Sequence, residues 1–542
     1  MSSPSSRPPK LVSHLGHPRA SSPDEEAAVF HRLQTELILR WKTLEDIETR
    51  PREVVVIPSL TLDRFQLEGI PGINHYEERM LFTLGLLRQP RARLVYVTSQ
   101  PLHPGVVDCF LGLLGGIPTA HARERLTLLS AYDSTPRALT QKVLERPRLI
   151  QRIRDAIDPS RAHMTVFTAS ELEWRLAATI GIPLYGVGPE LLTYGTKTGS
   201  RRLFREAGIS LPPGVEDVQG EKQLAESVVD LWDEHPDTRR MVVKLNQGFS
   251  GEGNAILELD PLLPLGPAQG ASRANRVAAV TEAFESLRFM APNETWVRFR
   301  GELEKIGGVV ELYLEGKRKH SPSAQLRINP RGVLEAMSTH DQVLGGRDGQ
   351  SYLGCRFPAH AGYRLEIQED ALRVGKLLAE RGCMGRVAVD FVTVEQEDGS
   401  WERYAIEINM RMTGTTHPIM TLKLLNDGGY DPERGLYITR RGEPRYYVSN
   451  DNVTAPHYQG LMPEDVLDIA AVHEVHYRPW TETGVVFHLL GASSEFGKMG
   501  ATAIGASPEE ADHWYARTIE ALDLETKGEE RDPRGQADEP RP

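Results

Sequence analysis

The sequence predicts an α/β and α+β protein with three folded domains. Its 542 residues are enough for roughly three to four domains of about 150 residues each. Short apolar, strand-like runs alternate with helix-like stretches from 53 to about 190, whereas strand pairs dominate from about 191 to 425. With 40% hydrophobic and 25% charged residues, the composition is that of a globular protein and not of a disordered or fibrous one.

Strand and helix patterns alternate in the first domain, which we place at 26–190. The strand-like runs lie at 53–59, 93–99, 125–131 and 164–170, and a helix-like stretch lies at 75–89. Such alternation is typical of a parallel βαβ domain. No GxGxxG motif follows the first strand, so the sequence does not favour dinucleotide binding here. The ends, 1–25 and 525–542, are rich in Pro and charge and are expected to lack fixed structure.

Charge and cysteine content exclude several classes of function. Lys and Arg number 63 and Asp and Glu number 75, and the net charge of −12 disfavours nucleic acid or an anionic membrane as a partner. Three widely separated cysteines predict neither a disulfide framework nor a cysteine zinc site. The N-terminal segment lacks the apolar region of a secretory signal, and the sequence shows no membrane span. We therefore expect a cytoplasmic protein, whose oligomeric state stays open, a homo-oligomer included.

Two carboxylates are predicted to face each other on a β-hairpin. The strand-like runs 386–394 and 402–409 flank an Asp-Gly pair at 398–399, which is a strong signal for a two-residue turn. A turn centred on that pair places Asp390 opposite Glu407. Like charges directly opposed on a sheet are destabilising unless something compensates for them.

A divalent cation would compensate for the two charges. Asn409 lies two residues beyond Glu407 and therefore on the same face, while Ile406 and Ile408 are expected to point into a core. Ligands that are all oxygen select a hard ion such as Mg²⁺, which usually binds substrate phosphates as well. The alternative is an exposed sheet face on which Asp390 and Glu407 are solvated.

A lysine precedes a glycine-rich turn in the second domain. Lys244 ends a strand-like run and is followed by Gly248, Gly251 and Gly253. Such a turn lets backbone N–H groups approach phosphate oxygens, although many glycine-rich turns are only turns. Lys197 lies just before an amphipathic helix, where a solvated surface position is the alternative.

The order of these elements resembles the ATP-grasp superfamily of carboxylate–amine ligases over about 191–425. Within that superfamily, the segments at 390–392 with 407–418, at 338–346 and at 484–505 resemble the peptide ligases of pheganomycin biosynthesis. The resemblance implies a pre-ATP-grasp-like domain at 26–190 and an ATP-grasp core of two α+β lobes at 191–425. A C-terminal accessory domain would then occupy 426–524.

The resemblance also implies roles for individual residues. The residues expected at ATP are Lys197, Lys244, Gly248, Ser250, Gly251, Gly253 and the adenine-binding hinge Glu311, Leu312, Tyr313 and Leu314. Those expected at the metal are Asp390, Glu407 and Asn409, and those expected in catalysis are Arg411 and Lys244. Lys317 and Arg318 stand where many members have a ribose-binding Glu, so ribose recognition is unassigned. In the third domain His488, Glu495 and Lys498 are candidates by resemblance, with a structural role as the alternative.

Two further assignments rest on position in the chain. Arg327 lies in a strand-like run that could face the phosphates, which makes it a third catalytic candidate; a surface arginine is the alternative. Thr415, Thr416 and His417 follow the metal strand and are candidates for substrate contact. A local cap or turn role is the alternative for the threonines.

The function that the resemblance implies is an ATP-dependent ligase that forms an amide or peptide bond. ATP would phosphorylate a carboxylate, and an amine would attack the resulting acyl-phosphate. The implied cofactors are ATP and two Mg²⁺ ions, with Mn²⁺ as a substitute, and the partners are a small carboxylate and a small amine, such as amino acids or peptides. The alternatives are an ATP-grasp carboxylase or thioester-forming ligase, and a nucleotide-binding regulatory protein without catalysis.

Overall fold

The computed structural model consists of one parallel α/β domain followed by two regions built largely on antiparallel sheets. It describes residues 23–44, 51–62, 64–248, 253–291, 294–345 and 351–527. No helix within these ranges is long and apolar enough to cross a membrane. The ends predicted to lack structure lie mostly outside the described residues, but the first helix begins at Pro23 and the last one ends at Thr526.

The N-terminal domain is a five-stranded parallel sheet with helices between its strands. Its elements are α1 (Pro23–Leu44), β1 (Arg52–Ile57), α2 (Arg64–Glu68), a 3-10 helix (Ile73–Arg88), β2 (Ala92–Thr98), α3 (Pro104–Gly112), α4 (Thr119–Arg123), β3 (Leu126–Ser130), α5 (Leu139–Leu144), α6 (Pro147–Asp155), β4 (Ala162–Val166), α7 (Glu171–Ile180), β5 (Leu184–Tyr185) and a 3-10 helix (Pro189–Gly195). The strand order is β3-β2-β1-β4-β5, and every pair is parallel. The prediction of a parallel βαβ domain is confirmed, because runs such as β1 are buried on both faces.

A buried carboxylate lies beneath the β2 end of this sheet. Glu77, on the 3-10 helix, accepts hydrogen bonds from the Ser99 amide at 2.5 Å and the Ser99 hydroxyl at 2.6 Å. The Lys142 ammonium donates to the same hydroxyl at 2.9 Å. Burial outweighs these contacts and raises the pKa of Glu77 to about 7.

This raised pKa predicts a pH-dependent stability. The unfolded chain ionises Glu77 at its ordinary pKa, so the free energy of unfolding should fall by about 3 kcal/mol as the pH rises through the interval between the two pKa values. Glu77→Gln removes that titration. We therefore expect the free energy of unfolding of the variant, relative to that of the wild type, to be about 2 kcal/mol higher at pH 8 than at pH 5. Urea unfolding at the two pH values measures the difference. The exposed Glu397→Gln is the control, and an equal effect of Glu77→Gln at both pH values would contradict the prediction.

The first lobe of the middle region contains an antiparallel sheet and four α-helices. Its elements are α8 (Lys197–Glu206), β6 (Gly214–Val218), α9 (Gly220–Glu234), β7 (Arg240–Leu245), β8 (Asn254–Glu258), 3-10 helices (Asp260–Leu265, Pro267–Gln269), α10 (Arg273–Ala283), a 3-10 helix (Phe284–Ser286), β9 (Arg288–Phe289), α11 (Trp296–Ile306) and β10 (Gly308–Leu312). The strand order is β6-β10-β7-β8-β9. Trp232 of α9 and Phe299 of α11 are fully buried in the core of this lobe.

The second lobe and the C-terminal region share one large antiparallel sheet. Their elements are β11 (Lys319–His320), β12 (Pro322–Ile328), β13 (Leu334–Gly345), β14 (Ser351–Phe357), α12 (Arg364–Glu380), β15 (Gly385–Glu395), β16 (Trp401–Asn409), α13 (Thr416–Leu425), β17 (Gly429–Asp431), β18 (Leu436–Ile438), β19 (Pro444–Thr454), a 3-10 helix (Pro456–Tyr458), α14 (Pro463–Val472), β20 (Gly484–His488), a 3-10 helix (Leu490–Ala492), α15 (Ser493–Phe496), β21 (Lys498–Gly505) and α16 (Pro508–Thr526). The main strand order is β11-β15-β12-β13-β14-β19-β18-β17, with β16 beside β15 and β21 between β19 and β20. Because β14 pairs with β19, the sheet continues across the boundary expected near residue 425.

Candidate active site

The β15–β16 hairpin places Asp390 directly opposite Glu407, as the sequence predicts. The predicted two-residue turn is wrong, however. Gln396 and Ser400 pair across a three-residue loop, in which Gly399 adopts a left-handed φ of 82°. This loop is the type I turn with a glycine bulge that is common in three-residue hairpins.

A β-bulge restores the register that the longer loop would otherwise shift. Asp390 pairs with Glu407 but Phe391 pairs with Ala405, so Ile406 is the extra residue on β16. Ile406 therefore lines the same cleft as Glu407 and does not enter the core, contrary to the sequence-based expectation. Ile408 is buried in the core as expected.

The carboxylates lie in a cleft of about 1000 Å³ between the two lobes. The Asn409 amide donates to Asp390 at 2.9 Å, and the Ser323 hydroxyl also hydrogen-bonds to Asp390. Burial and the neighbouring Glu407 charge raise the pKa of Asp390 to about 6. Three oxygen-bearing side chains thus converge at one point of the sheet, and this donor set fits a hard divalent cation.

The Lys197 side chain is the positive partner of this pair. Its ammonium lies 2.7 Å from Glu407 Oε1, although only 10% of the side chain is exposed. Lys197 is the first residue of α8, whose Ser200 hydroxyl accepts from the Ile408 amide at 3.0 Å. The Lys197 amide donates in turn to the Asn246 carbonyl at 3.1 Å. Helix α8 therefore contacts β16 of the second lobe and the end of β7 in the first.

The second lysine is held by a buried carboxylate. Lys244 Nζ lies 2.5 Å from Glu311 Oε2, and Arg201 contacts the other oxygen of Glu311. Burial alone would raise the pKa of Glu311, but Lys244 and Arg201 outweigh it and lower that pKa. Glu311 thus orients Lys244 with its side chain, which the hinge assignment did not foresee.

The predicted adenine hinge is only partly available for a ligand. The Leu312 amide donates to Pro213 and the Tyr313 amide donates to Arg240, so both are used within the protein. The Arg240 guanidinium carbon lies 4.1 Å from the centroid of the Tyr313 ring, and the Lys319 ammonium lies 4.2 Å from it. Of the two hinge side chains that could pack on a base, Tyr313 and Leu312, the Tyr313 ring is thus occupied by cations of the protein itself. Leu312 and Leu314 line the cleft and supply its apolar wall.

The structure describes the two ends of the glycine-rich loop, Gly248 and Gly253. Gly248 lines the cleft, and Gly253 has a φ of 81°, which favours glycine. The predicted contacts Ser250 and Gly251 lie outside the described residues.

Arg411 and Arg327 are placed differently from each other. Arg411 lines the cleft close enough to Asp390 and Glu407 for both charges to act on its pKa, which burial lowers. Arg327 shares a sheet face with Ser323 but lies four residues further along β12, or about 13 Å away. It pairs with Glu335 at 2.5 Å and lines another cavity, so the expectation that it faces the phosphates is wrong.

The three predicted substrate residues separate in the structure. Thr415 lines the cleft and accepts from the Gln325 amide at 2.7 Å. Thr416 is fully buried, and its hydroxyl hydrogen-bonds to Gln325 and to the Thr413 amide. This is the local turn role that was the alternative to substrate contact. His417 is 2% exposed and does not line the cleft. Its imidazole lies 2.8 Å from Asp451.

Sequence reasoning named His488 and Lys498 as candidates but missed Arg79 and Tyr76, which lie near them at the far end of the cleft. Arg79 lines it and pairs with Asp451 at 3.2 Å, and Asp451 also accepts from His488 at 2.9 Å. Lys498 is 6% exposed, and its ammonium lies 2.8 Å from the Tyr76 hydroxyl. Arg79 and Tyr76 come from the 3-10 helix of the N-terminal domain, and only the tertiary fold brings them to this point.

Family models match two parts of the chain. A model described as IQCH-like, ATP-grasp matches residues 189–283 and 272–431, and a model described as PGM1 C-terminal domain matches residues 465–518. The first match contains Lys197 and Lys244 in one segment and Asp390, Glu407 and Arg411 in the other.

Two curated proteins are similar over most of the chain. The L-propargylglycine–L-glutamate ligase of Streptantibioticus cattleyicolor is 32% identical over 467 residues, which cover 84% of this chain and 91% of that protein. The IQ motif-containing protein H of Danio rerio is 23% identical over 418 residues, which cover 70% of this chain but 39% of that protein. Among solved structures, a biotin carboxylase from Campylobacter jejuni has a TM-score of 0.51 at 11% identity and covers 85% of this chain and 89% of its own. At that identity the likeness concerns the fold alone.

Proposed function

Because this chain belongs to the ATP-grasp family of carboxylate–amine ligases, we propose that it phosphorylates a small carboxylate with ATP and joins the acyl group to an amine. The substrates are amino acids or short peptides, in keeping with the name of the bacterial ligase to which the chain is similar. The observation that carries the proposal is the Asp390–Glu407 pair beside Lys197, in a cleft between two lobes.

The nucleotide is proposed to lie across the cleft with its phosphates toward β15 and β16. Lys244 on β7 and Lys197 at the start of α8 supply positive charge to the phosphates. Leu312 and Leu314 line the opposite part of the cleft, where the base would pack. Glu311 would keep Lys244 directed toward the phosphates.

Asp390, Glu407 and Asn409 would hold Mg²⁺. Their oxygens converge, and the raised pKa of Asp390 reflects a crowded negative site that a cation would relieve. When bound, Mg²⁺ neutralises negative charge on the phosphates during transfer. Lys197 holds Glu407 in place at 2.7 Å.

Phosphoryl transfer needs positioning and positive charge more than acid–base groups. A substrate carboxylate oxygen attacks the γ-phosphorus of ATP, and ADP leaves as the acyl-phosphate forms. Arg411, buried beside Asp390 and Glu407, stabilises the charge on the transferred group. The amine nitrogen then attacks the acyl carbon, the C–O bond to phosphate breaks, and the amine loses a proton, which yields the amide and inorganic phosphate.

The far end of the cleft suits a substrate that carries a further carboxylate. Lys498 has no carboxylate within ion-pair distance among the described residues, and a buried ammonium without one is costly. A free carboxylate of an amino acid or peptide would supply that partner, with the Tyr76 hydroxyl beside it. Arg79 borders the same space.

A cytoplasmic location is also part of the proposal. All three cysteines are free, and Cys355 and Cys383 are buried. Free thiols are typical of a reducing compartment.

Hydroxylamine trapping tests the proposal. Purified protein with Mg²⁺ and ATP is incubated with pools of amino acids and dipeptides, and we expect a hydroxamate from the pool that holds the activated carboxylate. ADP release stimulated by bicarbonate without a hydroxamate would favour a carboxylase. If ATP binds and every pool fails to stimulate ADP release, a non-catalytic nucleotide-binding protein is favoured instead.

A further inference from the structure

A second cavity, of about 510 Å³, lies between the N-terminal sheet, the 3-10 helix Ile73–Arg88 and α13. It is large enough for a small organic ligand. Of the residues that line it, only Phe167 and Arg411 also line the cleft of Asp390 and Glu407. It is therefore a separate site from the proposed ATP cleft.

The charge of this cavity is strongly one-sided. Its cationic lining residues are Arg52, Arg88, Arg327, Arg386, Arg411, Lys423 and Arg440. The acidic lining residue is Asp427, which lies 3.2 Å from Arg88 and 3.5 Å from Arg440. Outside the lining, Glu335 pairs with Arg327. Asp427 and Glu335 thus pair with three of the seven cations, and Arg411 lies beside Asp390 and Glu407.

The excess charge concentrates at three side chains, Arg327, Arg386 and Lys423. Arg327 and Arg386 are directly opposed on β12 and β15, and like charges in that arrangement destabilise a sheet. Arg386 donates to the Met420 sulfur at 3.0 Å, which is a weak acceptor. Lys423 follows Met420 by three residues on α13 and so lies on the same helix face.

Neither Arg386 nor Lys423 has a carboxylate within ion-pair distance in the part of the chain that the structure describes. Burial lowers the pKa of Arg386 to about 10, and burial together with Arg327 and Arg386 lowers the pKa of Lys423. Lys423 is exposed to solvent, whereas Arg386 is half-buried, and a cation that is partly removed from water is normally paired. On this face of the sheet, Asp390 of β15 lies opposite Glu407, a pair that fits a cation. Four residues earlier on β15, Arg386 lies opposite Arg327.

The rest of the wall is largely apolar and includes Trp41, Phe82, Phe167, Met410, Met412 and Met420. We propose that this cavity binds a small organic anion, a carboxylate or phosphate on an apolar body, with Arg327, Arg386 and Lys423 around the anionic group. Methionine and aromatic side chains adapt to an apolar body of variable shape. The anion would supply the negative partner that Arg386 lacks among the described residues, since Arg327 already pairs with Glu335.

The test uses the full-length protein and the fluorescent anion 8-anilinonaphthalene-1-sulfonate. Saturating Mg²⁺ and a non-hydrolysable ATP analogue are present throughout, which keeps the probe out of the nucleotide part of the cleft. We expect one probe per chain, and Arg386→Met and Lys423→Met should each weaken its binding about tenfold, as the loss of one charge-assisted contact implies. Lys376→Met, at an exposed position on α12, is the matched control and should bind like the wild type.

Competition identifies the chemistry of the ligand. Octanoate and octyl phosphate should displace the probe, their relative affinities separating a carboxylate from a phosphate ligand, whereas neutral octanol should not. Unchanged probe affinity in both variants would overturn the proposal, as would displacement by octanol as effective as by octanoate. Lys423→Met keeps the test valid if Arg386→Met does not fold, because Lys423 lies on a helix surface. Hydroxamate formation by the wild type reports on the ligase activity separately.

Discussion

Replacing Glu407 with Gln is expected to lower hydroxamate formation and ADP release by at least about 10³-fold. The variant keeps the shape of the side chain but removes one of the two opposed charges that would hold Mg²⁺. It also removes the ion pair with Lys197, whose ammonium lies 2.7 Å from Glu407. The measurement is the initial rate of hydroxamate formation at saturating ATP with the substrate that the trapping experiment identifies.

Glu402→Gln is the matched control, because Glu402 is exposed on the same strand and lies outside the cleft. It should keep the wild-type rate. Thermal unfolding shows whether Glu407→Gln is folded. A folded Glu407→Gln protein with more than a tenth of the wild-type rate would contradict the role of Glu407.

Replacing Lys244 with Met is expected to lower kcat/KM for ATP by about 10²- to 10³-fold. The substitution removes a positive charge that Glu311 holds at 2.5 Å and that is proposed to contact the phosphates. Arg201 remains beside Glu311, so the carboxylate does not become an unpaired buried charge. Initial rates at varied ATP concentration give the change.

Lys222→Met provides the comparison, since 88% of its side chain is exposed on α9 of the same lobe. KM for the amine substrate, measured at saturating ATP, should be the same in Lys244→Met and the wild type. A Lys244→Met protein with unchanged kcat/KM for ATP, or one that loses affinity for the amine alone, would show that Lys244 acts elsewhere.

The N-terminal fold was predictable because continuous apolar runs such as β1 mark strands buried on both faces. The Asp390–Glu407 pair was also predictable, but for an incomplete reason. The Asp-Gly signal located the turn, whereas the loop is one residue longer than expected and the bulge at Ile406 compensates for it. No local signal in β16 announces that bulge, so the side of the sheet that Ile406 occupies could not be derived.

Residues whose role depends on distant segments could not be assigned. Arg327 lies on the expected face, but its distance along the strand places it in another cavity. His417 follows β16 closely in sequence, yet its side chain is buried and hydrogen-bonds to Asp451 of β19. Arg79 enters the cleft only because the N-terminal domain packs against the second lobe.

Helix α8 has a consequence for motion between the lobes. Its first residue is bonded to Asn246 in one lobe, and Ser200, one turn later, is bonded to β16 in the other. A change in the width of the cleft would have to leave these two hydrogen bonds intact or break them. We expect the Ile408 amide, which donates to Ser200, to exchange its hydrogen more slowly than the amide of Gly248.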